Sequence, residues 1–291
     1  MTGPGRLAVH ALTFVLALLH ALPAVPSTGS EAALDALRAV SRRYGALVRE
    51  IDPDHIPGSM EGYAEATEML ERLGNRLEGL SRLAVSIDAK GGDWGQVLEG
   101  VTLLDGDITA LKASSAPLRV YSFSIRSGIK HPRWAIAQVR AAEFVAPPAR
   151  AFTGSFTRTV KVEGQPGQEV YFQLVAVPAL KKVPGVSVKL PGRLRGPAGD
   201  IGGLEIEDFF AISRSTPLDE DERDFPLCPY RLRPAWKGAD IPGDQVLPCW
   251  FRMVIPAAAQ PGTYSGSMKF EGHKVPAIPI TLQLTVVGLE Q

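Results

Sequence analysis

Apolar and polar residues alternate along the last part of the chain, in three runs separated by turn-forming residues. The runs are Cys249–Ile255, Tyr264–Phe270 and Ile278–Val287. A period of two puts one apolar face on each run, which is typical of half-buried antiparallel strands. Pro261 and Gly262 make the first turn, and Gly272 breaks the chain before the last run. This stretch predicts three consecutive strands that face a common core.

Between residues 31 and 116, apolar residues recur at steps of three and four, which is the pattern of an amphipathic helix. One predicted helix runs from Glu31 to Ile51, and a third has an apolar face from Trp94 to Leu111 with Asp93 as its cap. The second helix has the most regular repeat, at Tyr63, Ala66, Leu70, Leu73, Leu77, Leu80 and Ala84. Because the breaks are short, we expect an antiparallel three-helix bundle, with self-association through the heptads as the alternative.

Residues 117–291 have the pattern of a β-sandwich. Pro117 marks the boundary, and Leu118–Ile125 alternates like a strand. Further predicted strands are Trp134–Val145, Ser155–Val162, Glu169–Val177, Val186–Leu190 and Leu204–Ile212. Short strands with glycine and proline between them favour a mainly antiparallel sandwich. The predicted fold class is therefore α+β in two parts, a helical bundle at 31–116 and a sandwich at 117–291.

Residues 1–30 have the pattern of an export signal. Arg6 precedes the apolar run Ala11–Leu19, and small residues follow it, with Ala24 as the expected cleavage position. The run is short for a membrane span, so we expect no stable span after signal removal. An uncleaved N-terminal anchor is the alternative. The predicted location is periplasmic or extracellular.

Export decides how the two cysteines, Cys228 and Cys249, are interpreted. In an oxidising compartment two cysteines favour a disulfide, which would tie down the loop-rich segment between them. Two buried thiols are the alternative. A zinc site is not expected, because two thiols without a nearby histidine do not supply four ligands.

The charge balance and the motifs argue against several functional classes. Lys plus Arg and Asp plus Glu both number 31 among 291 residues, so no overall field attracts nucleic acid. No phosphate-binding loop or nucleophile elbow is present, and the histidines are far apart, so we predict no cofactor, no metal and no catalytic residue. Glu205 and Glu207 would share a strand face and are the carboxylates to consider for a hydrolase.

Exposed aromatic residues are the better indication of binding. Trp236 lies in a loop rich in Pro, Lys and Gly, with Tyr230 just before it. Aromatic faces pack on the apolar faces of sugar rings, so Trp236 and Tyr230 are the candidate ligand-binding residues. Trp250 alternates with apolar residues, and we expect it in the core.

The second half of the chain resembles the N-terminal β-sandwich of glycoside hydrolase family 123 and related uncharacterised bacterial proteins. The matching segments are Gly167–Leu180, Val186–Leu194, Leu247–Phe270 with its PGTYSG turn, and Val275–Glu290. The chain departs from the family pattern before the Gln-Leu strand, where only Glu169 matches. The resemblance covers about half the chain and implies a sandwich module. The catalytic barrel of that family has no counterpart here, so no catalytic residue is carried over.

Together these observations predict an exported, non-catalytic protein whose accessory sandwich binds a glycan or a protein partner. One alternative is a component of a truncated or split glycoside hydrolase. Another is a structural envelope protein that assembles through its helices.

Overall fold

The computed structural model describes residues 28–140, 149, 152–197, 199–213, 223–224 and 230–288, with the backbone alone at 28–29, 212–213, 223–224 and 230–231. The chain divides into two compact units between Ser122 and Phe123. The first described helix begins at Thr28. The export signal was predicted at residues 1–30. Residues 1–27 lie outside the described part of the chain, so the export signal stays a prediction.

Four α-helices occur among the described residues: α1 (Thr28–Ile51), α2 (Tyr63–Lys90), α3 (Gly95–Ser114) and α4 (Ala116–Arg126). The first three pack against one another around one apolar core. That core contains the predicted apolar faces, including Leu70, Leu73 and Leu77 of α2 and Leu104 of α3. The three amphipathic helices predicted from the spacing of apolar residues are therefore confirmed.

The start of α3 follows from a side-chain cap. The backbone N–H of Gly95 donates a hydrogen bond to Oδ1 of Asp93 at 2.8 Å. The first N–H groups of a helix have no partner within the helix, so a carboxylate at this position satisfies one of them. Asp93 was predicted in this role, and the contact confirms it.

The predicted strand Leu118–Ile125 is wrong, because these residues lie in α4. Apolar and polar residues alternate from Tyr121 to Ile125 as in a strand, but in the helix the polar Ser122 and Ser124 are buried while the apolar residues between them are partly exposed. Pro117 is the second residue of α4, where proline is tolerated because the first N–H groups need no helical partner. Arg119 is fully buried and its Nε donates to Oε2 of Glu50 on α1 at 2.7 Å.

The second unit contains thirteen strands among its described residues. They are β1 (Trp134–Val139), β2 (Thr159–Gly164), β3 (Glu169–Pro178), β4 (Val183–Lys189), β5 (Arg193–Gly196), β6 (Gly199–Gly202), β7 (Glu205–Ser213), β8 (Arg223–Asp224), β9 (Tyr230–Pro234), β10 (Ala239–Ile241), β11 (Leu247–Val254), β12 (Gly262–Gly272) and β13 (Val275–Val286).

These strands form two sheets that share one core. The first has the order β1-β3-β11-β7-β9-β8, and the second β10-β4-β12-β13-β2 with the hairpin β5–β6 beside β12. β2 pairs with β13 in parallel, while the other described strand pairs are antiparallel. Phe251 of the first sheet contacts Phe270 of the second edge to face, with ring centroids 6.4 Å apart, and stacks on Phe172 at 4.8 Å. The unit is therefore sandwich-like, with an aromatic centre.

The PGTYSG segment is fixed by a buried tyrosine. Tyr264 is 2 % exposed, and its hydroxyl donates to the carbonyl of Gln260 at 2.8 Å, four residues upstream. Such a bond ties the start of a strand to the preceding turn, as the tyrosine corner does in other sandwiches. The ring also lies over Gly196, where an added Cβ would be 2.2 Å from Cδ1 of Tyr264. The glycine therefore makes room for the ring.

The three closing strands and the strand at Glu169–Val177 lie where the alternation predicts them. The strand predicted at Ser155–Val162 begins later, at Thr159, and the strand predicted at Trp134–Val145 ends at Val139 within the described part. The short strands β5, β6, β9 and β10 were not predicted. They contain three to five residues each, too few to show a period.

Candidate binding surfaces

Trp236 is the most exposed large apolar side chain among the described residues, at 70 %. It lies on a short 3-10 turn, Ala235–Lys237, between β9 and β10. The preceding Ala235 is fully buried, and Gly238 closes the turn with φ of +70°. The ammonium of Lys237 lies 5.4 Å from the centroid of the indole ring. The ring is therefore presented to solvent from an anchored turn, and its predicted role in binding stays a prediction.

Tyr230, the second candidate, is the first residue of β9 and pairs with Ser213 of β7. Its side chain lies outside the described part of the structure. Its predicted role in binding therefore stays a prediction.

Cys249 lies on β11 as a free, fully buried thiol. Burial raises the pKa of this thiol well above its ordinary value, and the nearby Asp208 raises it further. Cys228 lies outside the described residues, so the predicted disulfide stays a prediction.

Trp250 does not lie in the sandwich core. Its neighbours Cys249 and Phe251 point into the core, whereas Trp250 is half-buried on the other face of β11. On that face it is opposite Gln173 of β3 and Phe209 of β7. The alternation predicts the strand correctly. The prediction that Trp250 lies in the core is wrong, because it was based on the apolar character of tryptophan rather than on the position of Trp250 in the alternation.

Glu205 and Glu207 lie two residues apart on β7, as predicted, and face away from the sandwich core. Glu207 accepts a hydrogen bond from Arg252 at 3.3 Å. Asp208, the next residue of β7, lies opposite Phe251 of β11. Burial raises its pKa from 3.8 to about 6. The predicted role of Glu205 and Glu207 as carboxylates of a hydrolase stays a prediction.

A polar network covers the outer face of the first sheet at the start of β3. Arg252 donates to Glu169 and to Glu207, and the hydroxyl of Tyr171 donates to Oε2 of Glu169 at 2.7 Å. Hydrogen bonds from Arg252 and then from Tyr171 lower the pKa of Glu169, while the bond to Glu169 raises the pKa of Tyr171. The network holds Tyr171 in one orientation while its ring stays 53 % exposed.

Beside Tyr171, an open cleft of about 430 Å³ lies where the edges of the two sheets meet. It is formed by residues 138–140 at the end of β1, 161–163 of β2 and 170–172 of β3. Val162, Val170 and Phe172 are buried and supply apolar surface, whereas Lys161 and Glu163 are exposed. This cleft was missed by the sequence interpretation. The available signal was the position of Tyr171 on the polar face of an alternating strand.

Side chains cover the outer edge of β2 next to this cleft. The amide of Gln138 donates to the carbonyl of Lys161 at 2.9 Å and accepts from its N–H at 3.1 Å. The hydroxyl of Thr157 likewise donates to the carbonyl of Thr159 at 2.6 Å and accepts from its N–H at 3.0 Å. Both residues therefore satisfy backbone groups that an edge strand would otherwise expose.

Two features are absent from the described residues. They contain no cluster of three or more His, Cys, Asp or Glu side chains that could hold a metal ion. None of the helices within the described ranges has the length and apolar character needed to cross a membrane.

Comparison with known proteins gives weak structural likenesses. No protein-family model and no curated protein sequence matches the chain. Among solved structures, a family 123 glycoside hydrolase from Clostridium perfringens matches 55% of this chain and 28% of its own, at 15% identity and a TM-score of 0.39. The PapD-like domain 7 of human CEP192 matches 56% of this chain and 92% of its own, at 11% identity and a TM-score of 0.28.

A third likeness is to the collagen-binding subdomain of the Enterococcus faecalis surface protein ACE. It covers 44% of this chain and 93% of that subdomain, at 11% identity and a TM-score of 0.21. The structural relationship to the glycoside hydrolase is weak, and this chain spans less than a third of that enzyme.

Proposed function

We propose that this chain is an exported, non-catalytic binding protein with an N-terminal antiparallel three-helix bundle and a β-sandwich. The sandwich binds a glycan or a protein partner through the exposed ring of Trp236. The observation that carries this proposal is the 70 % exposure of that ring on an anchored turn. The resemblance of the sandwich segments to an accessory module of glycoside hydrolases also supports it.

The environment of Trp236 is suited to a polar ligand with an apolar face. Tryptophan is enriched at binding interfaces, because its ring offers a large apolar face and its N–H can donate a hydrogen bond. Sugar rings offer flat C–H faces to an indole and hydroxyl groups to its surroundings. Lys237, over the same ring, is held near it by cation–π attraction and can donate hydrogen bonds to a bound hydroxyl.

The test is retention of the purified chain on a panel of immobilised polysaccharides, with the supernatant assayed for released sugars. We expect retention without release on at least one polysaccharide, and loss of retention in Trp236→Ala. Trp236→Phe is the matched control, because it keeps an aromatic ring at the same exposed position and should keep retention. Equal retention of Trp236→Ala and the native chain would refute the assignment. Sugar release would instead favour the hydrolase alternative, with Glu205→Gln and Glu207→Gln as the next variants.

A second candidate function is assembly through the helical unit. Leu103 of α3 is 59 % exposed, and Met69 of α2 and Leu98 of α3 are partly exposed. Apolar residues at a helix surface can bury their area against another chain, as an envelope protein that assembles through its helices would do. The molar mass in solution distinguishes the two candidates. A concentration-dependent oligomer that Leu103→Glu converts to a monomer would favour assembly, whereas a monomeric native chain would count against it.

A further inference from the structure

The cleft beside Tyr171 lies at the opposite side of the sandwich from Trp236. β1 and β2 are the edge strands of the two sheets on the cleft side, and the turn of Trp236 joins β9 to β10, near the other edges. A volume of about 430 Å³ is within the range of small-molecule sites. Any ligand of this cleft is therefore independent of Trp236.

One wall of the cleft is an aromatic ring in a fixed orientation. The hydroxyl of Tyr171 is bonded to Glu169, and Glu169 is bonded in turn to Arg252, which also contacts Glu207. A ring held by its hydroxyl loses little further freedom when a ligand packs on its face, so less entropy opposes binding. The ring thus provides a preorganised surface for an apolar face such as that of a pyranose.

The cleft also exposes backbone groups that can bond to hydroxyls. Alternate residues of β2 direct their N–H and C=O groups outward, and Gln138 and Thr157 cover those of Lys161 and Thr159. Glu163 is the next outward residue by the same alternation, and no described residue covers its backbone groups. One donor and one acceptor therefore remain at the cleft, the combination that a sugar hydroxyl pair can satisfy.

The charges around the cleft do not cancel. Arg140 and Lys161 line it as cations without a carboxylate partner in the described part of the chain, against the single unpaired carboxylate of Glu163. Glu169 and Glu207 do not line the cleft, and they share the single cation of Arg252. The lining residues alone therefore carry one excess positive charge, which favours an anionic ligand over a neutral one.

We propose that this cleft binds a carboxylated sugar, such as a uronic acid unit of an acidic glycan. Tyr171 packs on the ring of the sugar, and Arg140 and Lys161 hold its carboxylate. The backbone of Glu163 bonds its hydroxyls. This proposal rests on the proposed glycan binding. It adds a second binding site, the cleft, and specifies that the sugar bound there is anionic.

The test is a titration of the isotope-labelled native chain with methyl β-D-glucuronide, followed by NMR, with methyl β-D-glucoside as the matched neutral probe. The two probes differ only in the carboxylate. We expect saturable amide shifts at residues 161–163 and 170–172 with the glucuronide, in the millimolar range, and binding at least about tenfold weaker with the glucoside. The glucuronide affinity falls as salt is raised, because the attraction is between exposed charges.

Variants separate the contribution of the aromatic ring from that of the two cations. Tyr171→Ala removes the ring and abolishes saturation, whereas Tyr171→Phe keeps the ring and retains binding within a few-fold. The double variant Arg140→Glu, Lys161→Glu loses glucuronide binding. Lys181→Glu, which reverses an exposed charge just after the other end of β3, does not.

Trp236→Ala distinguishes this site from the polysaccharide site. It leaves the glucuronide shifts unchanged even if it abolishes retention on polysaccharides. Equal affinity for the two methyl glycosides, an unchanged glucuronide affinity in the double charge variant, or no shift at tens of millimolar would each overturn the proposal.

Discussion

Arg119 of α4 and Glu50 of α1 form a buried contact, with Nε of Arg119 2.7 Å from Oε2 of Glu50. The arginine side chain is fully buried, while that of Glu50 is 25 % exposed. Nη1 of Arg119 also donates to the carbonyl of Lys112 near the end of α3, at 3.0 Å. Burial lowers the pKa of Arg119, and the charge of Glu50 opposes that effect. One side chain thus links the ends of three helices.

We predict that Glu50→Gln destabilises the helical unit more than Arg119→Met does. Removing the carboxylate leaves a buried guanidinium without its charge partner, which costs about 2–4 kcal/mol in the free energy of unfolding. Methionine at 119 replaces the buried charge by apolar volume, while Glu50 keeps Lys112 at 3.3 Å. We expect that variant to lose about 1–2 kcal/mol. Urea unfolding followed by circular dichroism measures both values.

The control is the exposed pair Arg43–Asp105, whose charged atoms are 2.5 Å apart. The arginine side chain of that pair is 51 % exposed, so Arg43→Met should change the free energy of unfolding by about 1 kcal/mol or less. A Glu50→Gln loss no larger than that of Arg43→Met would show that burial does not strengthen the contact.

The tyrosine of the PGTYSG turn gives a second prediction. Tyr264→Phe removes one hydrogen bond to the carbonyl of Gln260 and keeps the ring, so we expect a loss of about 1 kcal/mol. Gly196→Ala places a methyl group against the same ring, and overpacking of this kind costs about 1–3 kcal/mol. Thermal and urea unfolding measure both. Gly202→Ala is the control, because an added Cβ there meets nothing within 4 Å.

The elements with one buried and one solvated face could be predicted from the sequence. The helical spacing of Leu70, Leu73 and Leu77 and the alternation of Cys249, Phe251 and Met253 both correspond to faces buried in the structure. Burial on one face forces the apolar residues to follow the period of the element, so the pattern contains the information.

The helix α4 could not be predicted in the same way, because the polarity of its residues does not follow their burial. Arg119, Ser122 and Ser124 are buried in α4, whereas Tyr121, Phe123 and Ile125 are partly exposed. The cleft was missed for a different reason. It depends on contacts between β1, β2 and β3, and residues such as Gln138 and Lys161 are 23 positions apart in the chain. A sequence pattern within one strand contains no information on which edges meet.

The raised pKa of Asp208 leads us to predict that the free energy of unfolding depends on pH. Its pKa is raised by burial from 3.8 to about 6, so the folded chain binds a proton more tightly than the unfolded chain. The resulting stabilisation is complete below about pH 4 and is lost as the pH rises through about 6. Asp208 is partly exposed, so we expect an effect of about 1–2 kcal/mol rather than the full value for the shift.

Asp208→Asn should therefore be more stable than the native chain at pH 7, and this difference should disappear near pH 4. The free energy of unfolding measured at several pH values between 4 and 7 gives the comparison. Other carboxyl groups titrate in the same range, and they cancel in the difference between the two chains. A difference that does not change with pH would show that Asp208 is ionised in the folded chain throughout this range.

We predict that the side chain of Gln138 keeps the edge of β2 from pairing with strands of other chains. Its amide makes two hydrogen bonds with the backbone of Lys161, one as donor and one as acceptor. Gln138→Ala exposes both backbone groups, so we expect a loss of about 1–2 kcal/mol in unfolding free energy and an increase in self-association, because uncovered edges pair with one another. Gln138→Glu keeps the acceptor and loses the donor, so its behaviour should be intermediate. Light scattering after size exclusion at increasing concentration measures association. Association of Gln138→Ala no greater than that of the native chain would show that β2 is protected by other means.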